Sequence, residues 1–124
     1  MSPVEAIYEC YIKAKESYPK TFEECCNILS LEPESKVMSQ YRFAELVSYH
    51  KLLICRDAYW KIDNYTPQFR GEIYHYIELD CNLKPILNFT NRCVPMFLAF
   101  PSGAARDAFY ENFKELIEQC KELL

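Results

Sequence analysis

The segment "FPSGAARDAF", residues 100 to 109, contains the residues whose types and spacing best fit binding of an anion. Ser102, Gly103 and Arg106 stand where an apolar run gives way to a long charged segment. The N-terminus of a helix presents free backbone N–H groups and a partial positive charge, which together attract anions. These three residues therefore form a candidate site for an anion or another small ligand. The motif is weak, because phosphate loops use several glycines and often a lysine.

The same segment also has a structural interpretation, in which nothing is bound. Ser102 would then be the N-cap, and its hydroxyl would accept a hydrogen bond from a backbone N–H group of the first turn. Arg106 would pair with a carboxylate such as Glu72 or Glu78 rather than with a bound anion. We favour this interpretation and keep the anion site as the alternative.

Acid–base, metal or nucleophilic chemistry would have to use the two histidines and the seven cysteines. Asp57 is the nearest acidic residue on the side of the helix that carries His50, about 10 Å away at a rise of ~1.5 Å per residue. His75 lies between apolar residues of a predicted strand. Cys25 and Cys26 follow a predicted helix start, but no histidine is adjacent to them in sequence. We predict core histidines and inert thiols, with no catalytic residue, metal site or cofactor, although an enzyme is not excluded.

A mixed strip on the longest predicted helix, together with one strand face, is the candidate protein interface. Tryptophan, tyrosine and arginine dominate the energetics of many protein interfaces. The candidate residues are Arg42, Tyr49, Arg56, Trp60, Tyr74 and Tyr76. In the alternative interpretation, the aromatic rings of the strip are tucked under loops and contribute to the core.

Hydrophobic periodicity indicates the elements that position these residues. Four helices are predicted at 4–17, 20–31, 37–62 and 103–124, and the last of them is amphipathic. Thr21 and Glu24 have the spacing of a capping box. Alternation in "EIYHYIEL" places Tyr74 and Tyr76 on the outer face of a strand, and "PILNFT" and "VPMFLAF" are the predicted second and third strands. We therefore predict an α+β fold with a three-stranded antiparallel meander.

Composition limits the class of protein. A chain of 124 residues with a 50% hydrophobic fraction is expected to form one compact domain, 1–124. A net charge of −4 argues against general nucleic-acid binding, which normally uses a basic surface. No run reaches the ~18 apolar residues of a membrane span, and there is no signal-peptide pattern. Seven cysteines without a CxxC pair fit a reducing, cytoplasmic environment.

The order of these pieces resembles that of a family of short, uncharacterised proteins from bacteriophages and prophages of gut anaerobes. The resemblance covers residues 20 to 124 and rests on "TFEECCNIL", "VSYHKLLICRDAYWKI", "YHYIEL" and "MFLAFPSGAARDAFYENFKELI". It implies a phage or prophage origin and no mechanism. We therefore expect a small, non-enzymatic binding or adaptor protein that contacts a host or phage protein or associates with itself. A small-ligand or anion binder is the alternative.

Overall fold

Four α-helices and a three-stranded sheet make up the fold in a computed structural model that describes residues 2–32, 44–68, 72–91 and 97–124. The elements are α1 (Pro3–Glu16), α2 (Phe22–Ile28), α3 (Ala44–Ile62), β1 (Tyr74–Leu79), β2 (Pro85–Thr90), β3 (Leu98–Phe100), α4 (Gly103–Gln119) and a short 3-10 helix (Lys121–Leu123). The predicted α+β class, with a three-stranded antiparallel sheet and a C-terminal amphipathic helix, is confirmed. Residues 37–43 of the predicted third helix lie outside the described residues.

The strand order is β2-β1-β3, and both pairs are antiparallel. Strands β1 and β2 form a hairpin, in which the Asp80 carboxylate accepts hydrogen bonds from the backbone N–H groups of Asn82 and Lys84. Strand β3 pairs with β1 rather than β2, so the predicted meander order is wrong. The physical reason is burial: β1 and β3 are apolar enough to be covered on both faces, whereas β2 is largely exposed.

Tyr59 of α3 lies at the centre of the main core and is fully buried. Its ring stacks on Tyr18 at a centroid distance of 4.8 Å and meets the edge of Phe109 at 5.2 Å. Its hydroxyl donates to the backbone carbonyl of Pro19 and accepts from the side chain of Asn112. The buried polar atom of the largest core residue is therefore satisfied, as burial requires.

Side-chain caps fix the starts of α1, α2 and α4. Ser2 forms a complete capping box with Glu5. Thr21 accepts from the N–H of Glu24, as predicted, but the Glu24 carboxylate accepts from the N–H of Lys20 rather than that of Thr21. The Thr21 cap is therefore confirmed, but the reciprocal capping box is not formed, because Glu24 bonds the residue before the cap.

Helix α1 packs alongside α4, and the two helices run in the same direction. The Tyr11 hydroxyl donates to the Asp107 carboxylate, and four residues further along each helix Lys15 forms a 2.9 Å ion pair with Glu111. No residue of α1 is buried, although the helix carries apolar residues at helical spacing.

Among the described residues, no helix is long and apolar enough to cross a membrane.

Candidate functional site

The predicted interface strip contacts β3 and the residue before it. Trp60 Nε1 donates to the carbonyl of Ala99 at 2.7 Å, and Arg56 donates to the carbonyl of Phe97 at 3.2 Å. The Arg56 guanidinium also lies 4.2 Å from the centre of the Trp60 ring, and Tyr49 stacks on Phe97 at 5.3 Å. Three of the strip's side chains are therefore engaged inside the molecule. The fourth predicted helix residue, Arg42, lies outside the described residues.

The carbonyls that accept these bonds belong to the outer edge of β3. Backbone groups of successive strand residues point to alternate sides, so the carbonyls of Phe97 and Ala99 share one direction. Two opposite residues of an antiparallel pair either bond to each other or are flanked by bonds between their neighbours. The second pattern would need an N–H on Pro101, which has none, so His75 and Phe100 bond to each other. The carbonyl of Ala99 consequently points away from β1. Helix α3 therefore covers the edge of β3 that no described strand occupies.

Tyr74 and Tyr76 do not lie on an exposed face. Tyr74 is fully buried, Tyr76 is 8% exposed, and both pack with Ala99 in a cluster separate from the main core. The prediction that they lie on the outer surface is wrong. Alternation in the sequence correctly separated the two faces of β1, but it could not indicate that both faces are covered.

The start of α4 is a capped helix whose polar groups are engaged. Ser102 is the N-cap and accepts from the N–H of Ala105 at 3.1 Å, as the structural interpretation predicted. Arg106 forms a 2.8 Å ion pair with Asp107 and donates to the carbonyl of Asn88. The suggested partners Glu72 and Glu78 are not used, because the adjacent carboxylate is closer.

The His75 ring lies against the first residue of α4. A Cβ on Gly103 would be 3.8 Å from His75 Nδ1 and 3.8 Å from the end of Arg106. His75 Nδ1 is buried and has no hydrogen-bond partner among the residues that the structure describes. Burial lowers the pKa of His75, Arg106 lowers it further, and Asp107 acts in the opposite direction. The lowered pKa favours the uncharged imidazole beside the helix start. Anion binding at Ser102, Gly103 and Arg106 stays a prediction that this geometry does not favour.

The thiols of the core are poorly suited to catalysis. Cys25, Cys26 and Cys55 are fully buried where α2 meets α3. A hydrogen bond with Cys25 and burial both raise the pKa of Cys55, and burial raises that of Cys26. A raised pKa keeps a thiol protonated and weakly nucleophilic. In the described ranges, histidine, cysteine and carboxylate side chains form no group able to hold a metal ion.

A small cavity opens between the sheet and the last residue. It has a volume of about 260 Å³ and is lined by Ile77, Glu78, Leu79, Phe97, Leu98 and Leu124. Ligand sites are commonly ~300–1,000 Å³ and combine apolar walls with several convergent polar groups. Of the described lining residues only Glu78 has a charged side chain, so this lining lacks the convergent polar groups of a ligand site.

The large apolar side chains on the surface differ widely in exposure. Five of them are 62–76% exposed, and no other described one exceeds 43%. We call them the end patch: Val4, Ile7, Tyr8, Ile73 and Phe89. The helical spacing of the apolar residues in α1 can be recognised in the sequence. That α4 leaves the first half of α1 uncovered cannot.

The parallel register of α1 and α4 indicates where the end patch lies. Tyr11 contacts Asp107, so one turn earlier Ile7 is level with Gly103, the first residue of α4. The Phe89 ring lies 5.9 Å from that of His75, which touches the same helix start.

Comparison of the chain with family models, curated proteins and solved structures finds no match.

Proposed function

We propose that this protein is a small, cytoplasmic, non-enzymatic binding protein that recognises another protein through its end patch. The observation that supports the proposal is that five large apolar side chains are 62–76% exposed, on elements that the α1–α4 register and the His75–Phe89 contact bring towards the start of α4. Isolated apolar residues on a surface are ordinary, whereas a group of them rimmed by polar residues is typical of an interaction site. The proposal keeps the binding role expected from the sequence and moves the surface away from α3.

The electrostatic character of this end suits a protein partner. Ser2 and Ser102 cap α1 and α4, and the two helices run in the same direction, so both positive helix ends lie towards the patch. Helix N-termini favour nearby carboxylates. A partner segment with apolar anchors and an acidic flank would fit this surface better than a purely apolar one.

The proposal is tested with a triple variant, Val4→Ser, Ile7→Ser and Phe89→Ser. Truncating interface anchors typically costs ~1–2 kcal/mol of binding each, so a micromolar complex should be lost. Each side chain is mostly exposed, so the free energy of unfolding should change by less than ~0.5 kcal/mol per site. Quantitative co-purification from the cells that express the gene, with a parallel urea melt, measures both effects.

Ile62→Ser is the matched control, because Ile62 is 43% exposed but belongs to the end of α3 rather than to the patch. The expected result is one partner retained by wild type and control and lost by the triple variant. Equal capture by all three proteins would contradict the proposal. A phage or prophage origin is part of the same proposal, and neighbouring virion or host-takeover genes would support it.

A further inference from the structure

The outer edge of β2 is the second unusual surface of the molecule. Among the described residues, β2 pairs only with β1. An edge strand exposes unpaired backbone groups, and proteins usually protect such edges with charges, prolines, bulges or covering elements. Strand β2, "PILNFT", has six residues, none of them charged, and its one proline stands at the first position. Within the strand, the edge is protected only by Pro85 and by the Asn88 side chain, which bonds one outward N–H group.

The register shows which backbone groups point outward from β2. The groups of His75 and Ile77 point to β3, so those of Tyr76 point to β2, where they meet Asn88. By alternation, Leu87 and Phe89 direct their N–H and C=O groups away from the sheet. The Phe89 N–H is accordingly bonded to the side chain of Asn88, at 2.8 Å, and not to β1.

We propose that two copies of this chain associate by antiparallel pairing of their β2 edges around a two-fold axis at Asn88. This register sets Leu87 of each copy opposite Phe89 of the other, so each N–H meets a C=O. A register centred on Leu87 would instead set the Phe89 carbonyl opposite Pro85, which has no N–H to donate. The Asn88 register therefore pairs both the N–H and the C=O of Leu87 and Phe89, whereas the Leu87 register leaves the Phe89 carbonyl without a donor.

A second copy fits this edge because the strand is neutral and complementary to itself. The net charge of −4 makes two copies of the chain repel each other in general. Strand β2 has no charged residue, so no like charges meet at the axis. The Phe89 side chain, 62% exposed in one copy, would pack on Leu87 of the other as an aromatic–aliphatic cross-strand pair. Isologous two-fold dimers are the commonest assemblies of soluble proteins. The product is one sheet of six strands.

A cysteine cross-link tests the axis directly. In a background with Cys10, Cys81 and Cys93 replaced by serine, Asn88→Cys places two thiols across the axis at a pair without mutual backbone bonds. Such positions have a Cα separation of ~4.5 Å, which suits a disulfide. Ile86→Cys is the control, since Ile86 lies on the same sheet face but opposite Thr90 of the other copy. Under mild oxidation by oxidised glutathione, the Asn88→Cys chain should form covalent dimers and the Ile86→Cys chain should not.

A second pair of variants separates backbone pairing from side-chain contact. Phe89→Pro removes an outward N–H in each copy, whereas Phe89→Ala keeps it. Loss of two hydrogen bonds should raise the dimer dissociation constant of Phe89→Pro roughly tenfold above that of Phe89→Ala. Sedimentation equilibrium measures both constants, and a urea melt verifies that both variants fold.

The outcomes are decisive in both directions. Selective cross-linking at position 88 together with the weaker association of Phe89→Pro would support the dimer. A chain that stays monomeric at millimolar concentration, or equal cross-linking at positions 86 and 88, would overturn it. Phe89 belongs to both surfaces, so the dimer and the proposed function are separated at α1: Val4→Ser with Ile7→Ser should remove a partner protein while leaving the dimer intact.

Discussion

The two edges of the sheet are built in opposite ways. At β3, three residues long, Trp60 and Arg56 of α3 donate to carbonyls two residues apart and close the edge with side chains. At β2, twice as long, a single Asn88 side chain bonds one outward N–H, and no described element lies alongside. Within the described ranges the short edge is therefore covered and the long edge is open, although both strands are mostly apolar.

The difference between the edges shows what an aromatic or arginine side chain near a sheet can do. Tryptophan and arginine combine a large contact area with N–H donors, so they can satisfy strand carbonyls while covering the strand. The residue types that indicate a protein interface are therefore equally suited to closing a sheet edge. Whether such residues face a partner or their own sheet depends on which element packs beside them.

Breaking the sealed edge should have the largest effect. Trp60→Ala removes a large half-buried ring and the bond to Ala99, and we expect it to lower the free energy of unfolding by about 3 kcal/mol. Trp60→Phe keeps most of the ring but loses the donor, and should cost about 1 kcal/mol. Urea denaturation followed by far-ultraviolet circular dichroism measures both. A loss below ~0.5 kcal/mol for Trp60→Ala would restore the interface interpretation of the strip.

A smaller effect is expected from the hydrogen-bond network that links α1 and α4 to β2. Asp107 accepts from Tyr11 and from Arg106, and Arg106 in turn donates to the carbonyl of Asn88 on β2. We expect Asp107→Asn to cost about 1 kcal/mol, with a double-mutant cycle against Tyr11→Phe giving a coupling of similar size. The exposed pair at Glu111 is the control, since Glu111→Gln should cost less than ~0.5 kcal/mol. No coupling in the cycle would contradict a structural role for this network.

The Tyr11 hydroxyl should also report on the same network. Burial, together with the hydrogen bond to Asp107, raises the pKa of Tyr11 to about 12. Because the native state disfavours the phenolate, the stability contributed by Tyr11 is present below pH ~10 and is lost as the pH rises above that value. This loss should be weaker in Tyr11→Phe, as measured by urea melts at neutral and alkaline pH.

The smallest effect should come from protonation of His75, which lies at the junction between β1 and α4. Burial, followed by Arg106, lowers the pKa of His75, while Asp107 opposes them. The unfolded chain therefore takes up a proton at His75 near pH 6.5, before the native state does, and stability falls as the pH drops through that value. His75→Gln should reduce the loss of stability between pH 7.5 and 5.5. An unchanged pH profile in this variant would show that the ring is protonated equally in both states.

Much of the fold could be predicted from the sequence, because strong local signals agree with the tertiary structure. The Ser102 cap and the apolar half of α4 are examples, since each follows from residues within one or two turns. The pairing of β3 with β1 could not be predicted in this way, because alternation defines the faces of a strand and not its neighbours. Burial of Tyr74 and Tyr76 was missed for the same reason.

The candidate surfaces were harder to predict than the fold. Arg56 and Trp60 have the composition of an interface, but their partners are backbone carbonyls about forty residues away. The apolar residues of α1 were recognised as one face of a helix, yet their exposure depends on where α4 begins. Surface assignment needs the relative position of elements that are distant in sequence.

The docking of α1 on α4 also bears on how the chain reaches its final form. The bonds from Tyr11 to Asp107 and from Lys15 to Glu111 each span 96 positions. During synthesis α1 emerges from the ribosome well before α4, so α1 has no docking surface until α4 has been made. Contacts of such long range slow folding, because a large loop must close before they form. Until then the apolar residues of α1 are available to chaperones.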